Sequence, residues 1–345
     1  GSGKHNNWSL TTNTGENLLN PGRTPGENTV FLVFLSAVIK AVDDYADLLR
    51  LSVASAGNDH RLGANEAPPA IISMFIGDEL TAVVEAIEKD EYFGKVEKVQ
   101  METGAKVLPH FAKDSTDRNR TSPFAFTGNK FEFRMPGSSA SIATPNTILN
   151  TVVAKELKDF ADVLEKADDL TDSIQELIRK TLREHSRIIF NGNGYDKEWI
   201  IEAEKRGLSN YASTPEALAH YLDEKNLSVF TESHVLSMNE CRSRYEIYLE
   251  KYYKTINIEA LTLADMLKKD VLPAVSAFAG SLAERVCREQ QLEIRRKDGY
   301  EEKTCKKIIA LEDKIVKDLS KMEKLLSDRK TNDPLQTAFF YYDQI

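Results

Sequence analysis

Cysteine is nearly absent from this chain. The 345 residues carry three, Cys241, Cys287 and Cys305, widely spaced, odd in number and without a CxxC pair. That excludes a disulfide framework and a cysteine zinc site, and it predicts a reducing, cytoplasmic compartment. Long apolar runs are missing too. The most hydrophobic stretch, Val30–Val42, is too short for a membrane span and runs into Asp43-Asp44, so it reads as a buried helix and no membrane partner is expected. Positive charge is not in excess either: the formal net charge of −9 argues against a generic nucleic-acid binder. There is no internal repeat and no low-complexity tract. His110, His185, His220 and His234 show no metal-ligand spacing and read as structural or surface groups, with His60 a supporting group beside Arg61.

What is present suits one or two ordinary cores, with 41% hydrophobic and 29% charged residues. Residues 1–28 read as loop or short strands. Glu27–Leu49 reads as one long helix, Leu51–Ala56 as a short strand, Asp78–Lys89 as an amphipathic helix and Asn129–Met135 as a strand. Thr144 to about Ile189 follows helical spacing until Asn191-Gly-Asn-Gly194 breaks it. Beyond that point strand-like alternation disappears. Ile258–Leu292 and Tyr300–Ser327 read as two long antiparallel helices, the second with an apolar stripe at Ile308, Leu311, Ile315, Leu319, Met322 and Leu325. The expectation is α+β: an antiparallel sheet with helices over residues 1–192, then a helix-rich part over 193–345.

Four short runs carry chemistry. Asn58-Asp-His-Arg-Leu-Gly-Ala-Asn-Glu-Ala-Pro-Pro-Ala70 places Asp59, His60, Arg61 and Glu66 around Gly63 and ends in two prolines. Proline stiffens the exit, so the run is either a polar surface turn or a loop presenting Glu66. Lys130-Phe-Glu-Phe-Arg134 alternates as a strand, so Phe131 and Phe133 share one face and Lys130, Glu132 and Arg134 the other. A carboxylate between two cations suits a meeting point of a divalent metal and a polyanion. It equally suits a half-buried strand with a solvated ion pair. Asp117-Arg-Asn-Arg-Thr-Ser122 adds Arg118 and Arg120 to a local positive patch. The fourth run is Gly1-Ser-Gly-Lys-His-Asn-Asn-Trp-Ser-Leu10.

Together these runs resemble the glutamine synthetases, and the wording Asp-His-Arg-Leu-Gly-Ala-Asn-Glu-Ala-Pro-Pro-Ala resembles their type III branch. The resemblance implies ATP-dependent ligation of ammonia to glutamate through γ-glutamyl phosphate, with about two to three Mg²⁺ or Mn²⁺ ions per site. It implies that His5 and Glu132 ligate the second metal and that Asn7 and Ser9 face nucleotide. Gly1 and Arg61 would bind glutamate, Arg61 through the α-carboxylate. Arg120 and Lys130 would contact ATP phosphates, Arg134 the reacting substrate and phosphoryl group. Glu66 would take the proton from ammonium and shield the intermediate. Where shorter family members place a further arginine, this sequence reads Pro123-Phe-Ala-Phe126, so that role is not carried over. The runs also imply the carboxy-terminal half of such an enzyme, without the carboxylates of the first metal and inactive by itself. They imply a homo-oligomer of stacked hexameric rings, a homododecamer. A related ligase acting on another amine or acid, and a catalytically incomplete structural or regulatory module, are the alternative expectations.

Overall fold

The first strand, β1 (Asn6–Trp8), alternates buried Asn6 and Trp8 with exposed Asn7, the pattern of a strand with one covered face. The computed structural model describes residues 3–64, 67–91, 121–294, 299–328 and 332–345. The chain divides into two compact units, Gly1–Tyr245 and Glu246–Ile345. In the first, β1 is followed by α1 (Thr29–Asp44), α2 (Ala46–Leu51), α3 (Ala56–Asp59), β2 (Met74–Phe75), α4 (Gly77–Glu88), β3 (Phe124–Phe126) and β4 (Phe131–Phe133). Then come α5 (Ala143–Leu164), α6 (Leu170–His185), α7 (Lys197–Lys205), α8 (Thr214–Ala219) and α9 (Glu224–Glu232). The division falls within α10 (Met238–Met266), and α11 (Leu272–Gln291), α12 (Tyr300–Ser327) and α13 (Pro334–Gln344) belong to the second unit. The architecture is α+β with a helix-rich carboxy-terminal part, as the pattern predicts.

The strands form one sheet in the order β1-β4-β3-β2. β1 and β3 flank β4 antiparallel, whereas β2 joins β3 in parallel. The expected antiparallel sheet therefore carries one parallel edge, which the long connection through α4 permits and a hairpin could not. Phe124, Phe126, Phe131 and Phe133 are buried beneath it. Phe124 stacks on Phe131 with ring centroids 4.8 Å apart, and Phe126 meets Phe131 edge-on at 5.1 Å. Such pairs add about 0.5–1.5 kcal/mol each beyond burial. The Pro123-Phe-Ala-Phe126 run thus supplies core. α5 holds β1 from the same side: Asn6 Nδ2 donates to Asn146 Oδ1 at 2.7 Å and Trp8 Nε1 to Asn150 Oδ1 at 2.8 Å. Four residues of helix rise about 6 Å and two of strand about 6.6 Å, so the two pairs meet in step.

Several element boundaries differ from the sequence expectation. The long helix at Glu27–Leu49 is two helices broken at Tyr45. Leu51–Ala56 is not a strand: Leu51 ends α2, Ala56 begins α3, and Ser52, Val53 and Ala54 donate backward to Leu48, Arg50 and Leu51. Local turns satisfy those donors, so a short apolar run is buried without a sheet. The helix from Thr144 toward Ile189 is interrupted at residues 165–169, where Asp169 caps α6 by accepting from Asp172 N at 3.1 Å. Asn191, read only as a breaker, accepts from Ile76 N and Gly77 N at 3.2 Å each and so caps α4 from another part of the chain.

In the second unit α11 and α12 run antiparallel. Lys268 pairs with Glu323, Ser276 with Glu312, Cys305 Sγ with Ala279 O and Arg285 with Glu301, a ladder whose two sequence numbers run in opposite directions. The inward face of α12 includes Cys305 and Leu319, both buried, while Leu311 of the expected stripe is exposed and Glu312 takes its place against Ser276. A π-turn at Leu267–Val271 precedes Pro273. Proline has no N–H to give Lys269 and crowds its carbonyl, which accounts for the widened turn.

Candidate active site

Side chains on the opposite face of β1 and β4 from the phenylalanines gather the sequence-predicted residues. β1 and its flanks supply His5, Asn7 and Ser9; β4 and its flanks supply Lys130, Glu132 and Arg134. The register sets Asn7 opposite Glu132. His5 Nδ1 lies 3.4 Å from Glu132 Oε2. Arg134 Nε and Nη2 donate to the same oxygen at 3.2 and 3.1 Å, and Thr127 Oγ1 donates to Oε1 at 3.4 Å. The Glu132 side chain is 18% exposed and that of Arg134 4%. A carboxylate held by a buried guanidinium on one flank and an exposed imidazole on the other keeps a defined geometry.

The donor set fits a divalent cation. Carboxylate oxygen is a hard ligand and imidazole nitrogen a borderline one, a pairing that Mn²⁺ and Mg²⁺ accept. Two ligands about 2.1 Å from one ion lie about 3 Å apart at a right angle, close to the observed separation. Arg134 competes for Oε2, and Thr127 Oγ1 reaches Oε1.

Ser9 lies where β1 leaves the sheet. Its Oγ donates toward Asn17 Oδ1 at 2.9 Å and Asn129 O at 3.0 Å, and Asn17 Nδ2 donates to Asn129 O at 2.8 Å. Thr127 N closes the β3–β4 turn on Lys130 O at 2.8 Å. Ser9 and half-buried Lys130 are therefore tied to one hairpin end.

Arg61 lies beneath these strands, buried. Nη1 donates to Met135 O at 2.7 Å and to Asn58 Oδ1 at 3.1 Å, and Nη2 to Arg134 O at 3.2 Å. Burial pulls its pKa below the usual arginine value. Neighbouring Asp59 turns away, accepting from Thr214 N at 2.8 Å and Thr214 Oγ1 at 2.7 Å beside buried Arg50. Burial pushes the Asp59 carboxyl up, against the opposing pull of Thr214 and Arg50. Gly63, at φ +76°, donates to Pro68 O at 2.9 Å and closes the neck of the loop; a side chain there would be strained. Glu66 itself lies outside the described residues, as do Gly1, Arg118 and Arg120.

Asn17, Asn58 and Thr127 were not singled out from sequence, since a lone amide or hydroxyl carries no local signature. Sequence also missed Asp43, Asp44 and His185, whose ligand atoms lie within 4.8 Å of one another. His185 Nδ1 sits 2.8 Å from Asp43 Oδ2, Arg187 Nε lies 3.0 Å from both Asp43 oxygens, and Lys40 pairs with Asp44 and Glu156. Those cations already balance the carboxylates, so the cluster joins α1 to α6 as an ion-pair network. Asp43 and His185 are 142 positions apart, which no spacing rule reaches.

The chain is similar to several known proteins. Residues 173–291 match the glutamine synthetase C-terminal domain family. A glutamine synthetase of Butyrivibrio fibrisolvens is 44% identical over 358 residues, covering 99% of this chain and 49% of its own length. A type-3 glutamine synthetase of Dictyostelium discoideum is 50% identical over 289 residues, 83% of this chain and 39% of its own length. A glutamine synthetase of Bacteroides fragilis is 42% identical over 299 residues, 85% and 41% respectively. The chain thus spans about half the length of the curated relatives it matches, or somewhat less. Among the described residues no helix is long and apolar enough to cross a membrane.

Proposed function

We propose, from its 42–50% identity to glutamine synthetases, a type-3 enzyme among them, that this chain forms the metal- and phosphate-binding side of a glutamate–ammonia ligase of the type III branch. The observation that carries the proposal is the convergence of His5, Glu132 and Arg134 on one face of two paired strands. The reaction joins ammonia to glutamate at the expense of ATP, through γ-glutamyl phosphate. His5 and Glu132 would hold a Mg²⁺ or Mn²⁺ ion, which would offset the charge of the transferring phosphoryl group. Arg134, fixed by Glu132, directs positive charge at the same group. Lys130 and Arg120 bind phosphate, with Asn7 and Ser9 toward nucleotide. Gly1 and Arg61 lie toward glutamate. Glu66 accepts the ammonium proton and excludes water from the acyl phosphate.

Residues 1–192 make up the catalytic portion in this reading and 193–345 the helical extension. The extension would carry the homo-oligomer contacts, and the exposed apolar side chains Ile258, Leu261, Phe278 and Leu311 are the candidates for them.

The test is Mn²⁺ binding to the 345-residue chain, read by electron paramagnetic resonance of the free ion. His5→Ala and Glu132→Ala are each expected to weaken binding at least about tenfold. Unchanged affinity in both would overturn the ligand assignment. ADP release by a longer form, with glutamate plus ammonium set against other amines and acids, separates this ligase from a relative of different substrate.

A further inference from the structure

We propose that Arg61 is a positioning residue for the His5–Glu132 pair, clasping the exit of β4 against the segment that leads into β1. The inference rests on the reading that this pair holds a divalent cation. It goes beyond a substrate contact for Arg61, because the guanidinium is already engaged by the chain itself.

The clasp has two sides. On one, Arg61 Nη1 and Nη2 donate to the carbonyls of Met135 and Arg134 at 2.7 and 3.2 Å. Asn58 reinforces it: Nδ2 donates to Met135 O at 3.1 Å and Val53 O at 2.8 Å, while Oδ1 accepts from Arg61 Nη1 at 3.1 Å. Met135 O is therefore gripped by two side chains from α3 and the residues after it. On the other side lies Gly3. A Cβ built on Gly3 would stand 2.0 Å from Arg61 Nη2 and 2.6 Å from Cζ. Only glycine lets the backbone lie this close to the guanidinium. Gly3 also bridges to Gly137, and Lys4 N donates to Pro136 O at 3.0 Å.

The position of the clasp gives it leverage. Gly3 is two residues before His5, and Arg134 is two after Glu132. Two residues of strand span roughly 6.6 Å, so a shift at the clasp reaches both proposed ligands with little slack. Arginine is required by shape. Its planar fork reaches two successive carbonyls at once, whereas a lysine ammonium would supply charge without that geometry. Its partners are two backbone carbonyls and the Asn58 side-chain oxygen.

The experiment measures Mn²⁺ affinity and the resonance line shape of bound Mn²⁺ for Arg61→Lys, Arg61→Ala and Gly3→Ala, beside His5→Ala and Glu132→Ala. Arg61→Lys, Arg61→Ala and Gly3→Ala are expected to lose about 10- to 100-fold in affinity and to alter the line shape, with circular dichroism unchanged. Millimolar guanidinium ion is expected to restore part of the loss in Arg61→Ala and none in Gly3→Ala, whose arginine is present but displaced. Wild-type binding in all three, while His5→Ala and Glu132→Ala bind weakly, overturns the inference and leaves the metal reading intact. Unchanged binding in His5→Ala and Glu132→Ala overturns the metal reading, and the inference with it. Loss of folded structure in all three clasp variants overturns the inference as well, making Arg61 a fold residue.

Discussion

Tyr45 sits at the joint between α1 and α2, 7% exposed. Burial, and then the charges of Glu156 and Asp44, pushes its phenol from 10.0 up to about 12. The neutral phenol is the form the fold favours. Its contribution is complete below the unfolded value and is lost as pH rises through the folded one. Two pH units correspond to about 3 kcal/mol. Wild type is therefore expected to lose about that much stability between pH 10 and 12 that Tyr45→Phe does not lose, as measured by urea unfolding across that window. Glu156 behaves in the same sense lower on the scale, its carboxyl raised mainly by burial although Lys40 opposes the shift. Individual residues divide sharply by legibility. Glu132 and Arg134 could be read from sequence because a period of two links them along one strand. Nothing in the run Gly1–Leu10 announced that the Arg61 guanidinium lies against Gly3.

Among the elements, α4 shows how much a helix owes to distant chain. It opens after Ile76 without a capping side chain of its own, and Asn191 supplies the acceptor for Ile76 N and Gly77 N while its Nδ2 donates to Thr81 Oγ1 at 2.7 Å. Asn191→Ala is expected to cost about 1–2 kcal/mol, and Asn191→Asp considerably less, because the acceptor is kept. Chemical denaturation of the two variants checks this. Most long helices were legible as helices and their ends were not: the helix read as Ile258–Leu292 continues one that begins at Met238. The breaks at Tyr45 and at residues 165–169 interrupt runs whose apolar spacing continues across them. The Leu51–Ala56 turn was misread for a related reason: burial explains its apolar residues as well as pairing would. Pro273 is the converse case, a breaker that the chain accommodates with a single π-turn.

At the scale of the whole molecule the two units differ in how they are held. Gly1–Tyr245 has a core of many large side chains, from Phe31 through the strand phenylalanines to Trp199. In Glu246–Ile345 fewer apolar residues are buried among the described ones, and small side chains such as Ala260, Ala264, Ala279 and Cys305 stand beside Leu249, Tyr252, Leu319 and Tyr341. Less apolar area removed from water means less stability. Backbone hydrogen exchange is expected to be faster through α11 and α12 than through α1 and α5, and mass spectrometry of peptic fragments would read it. If this unit associates with copies of itself, light scattering will show mass rising with concentration. Phe278→Ser with Leu261→Ser is expected to lower it without unfolding the first unit.

By itself the sequence determined the class of the fold, the alternation of β4 and the antiparallel helices of the second unit, and it put Glu132 and Arg134 on one face of a strand. Each follows from rules that act over a few residues: strand period and helix period. Tertiary structure alone decided which distant groups meet. It brought Arg61 beneath Gly3, Asn191 onto α4, and Asp43 against His185 and Arg187. Those contacts depend on the path of the whole chain, and the residues making them carry no local periodicity that could announce their partners.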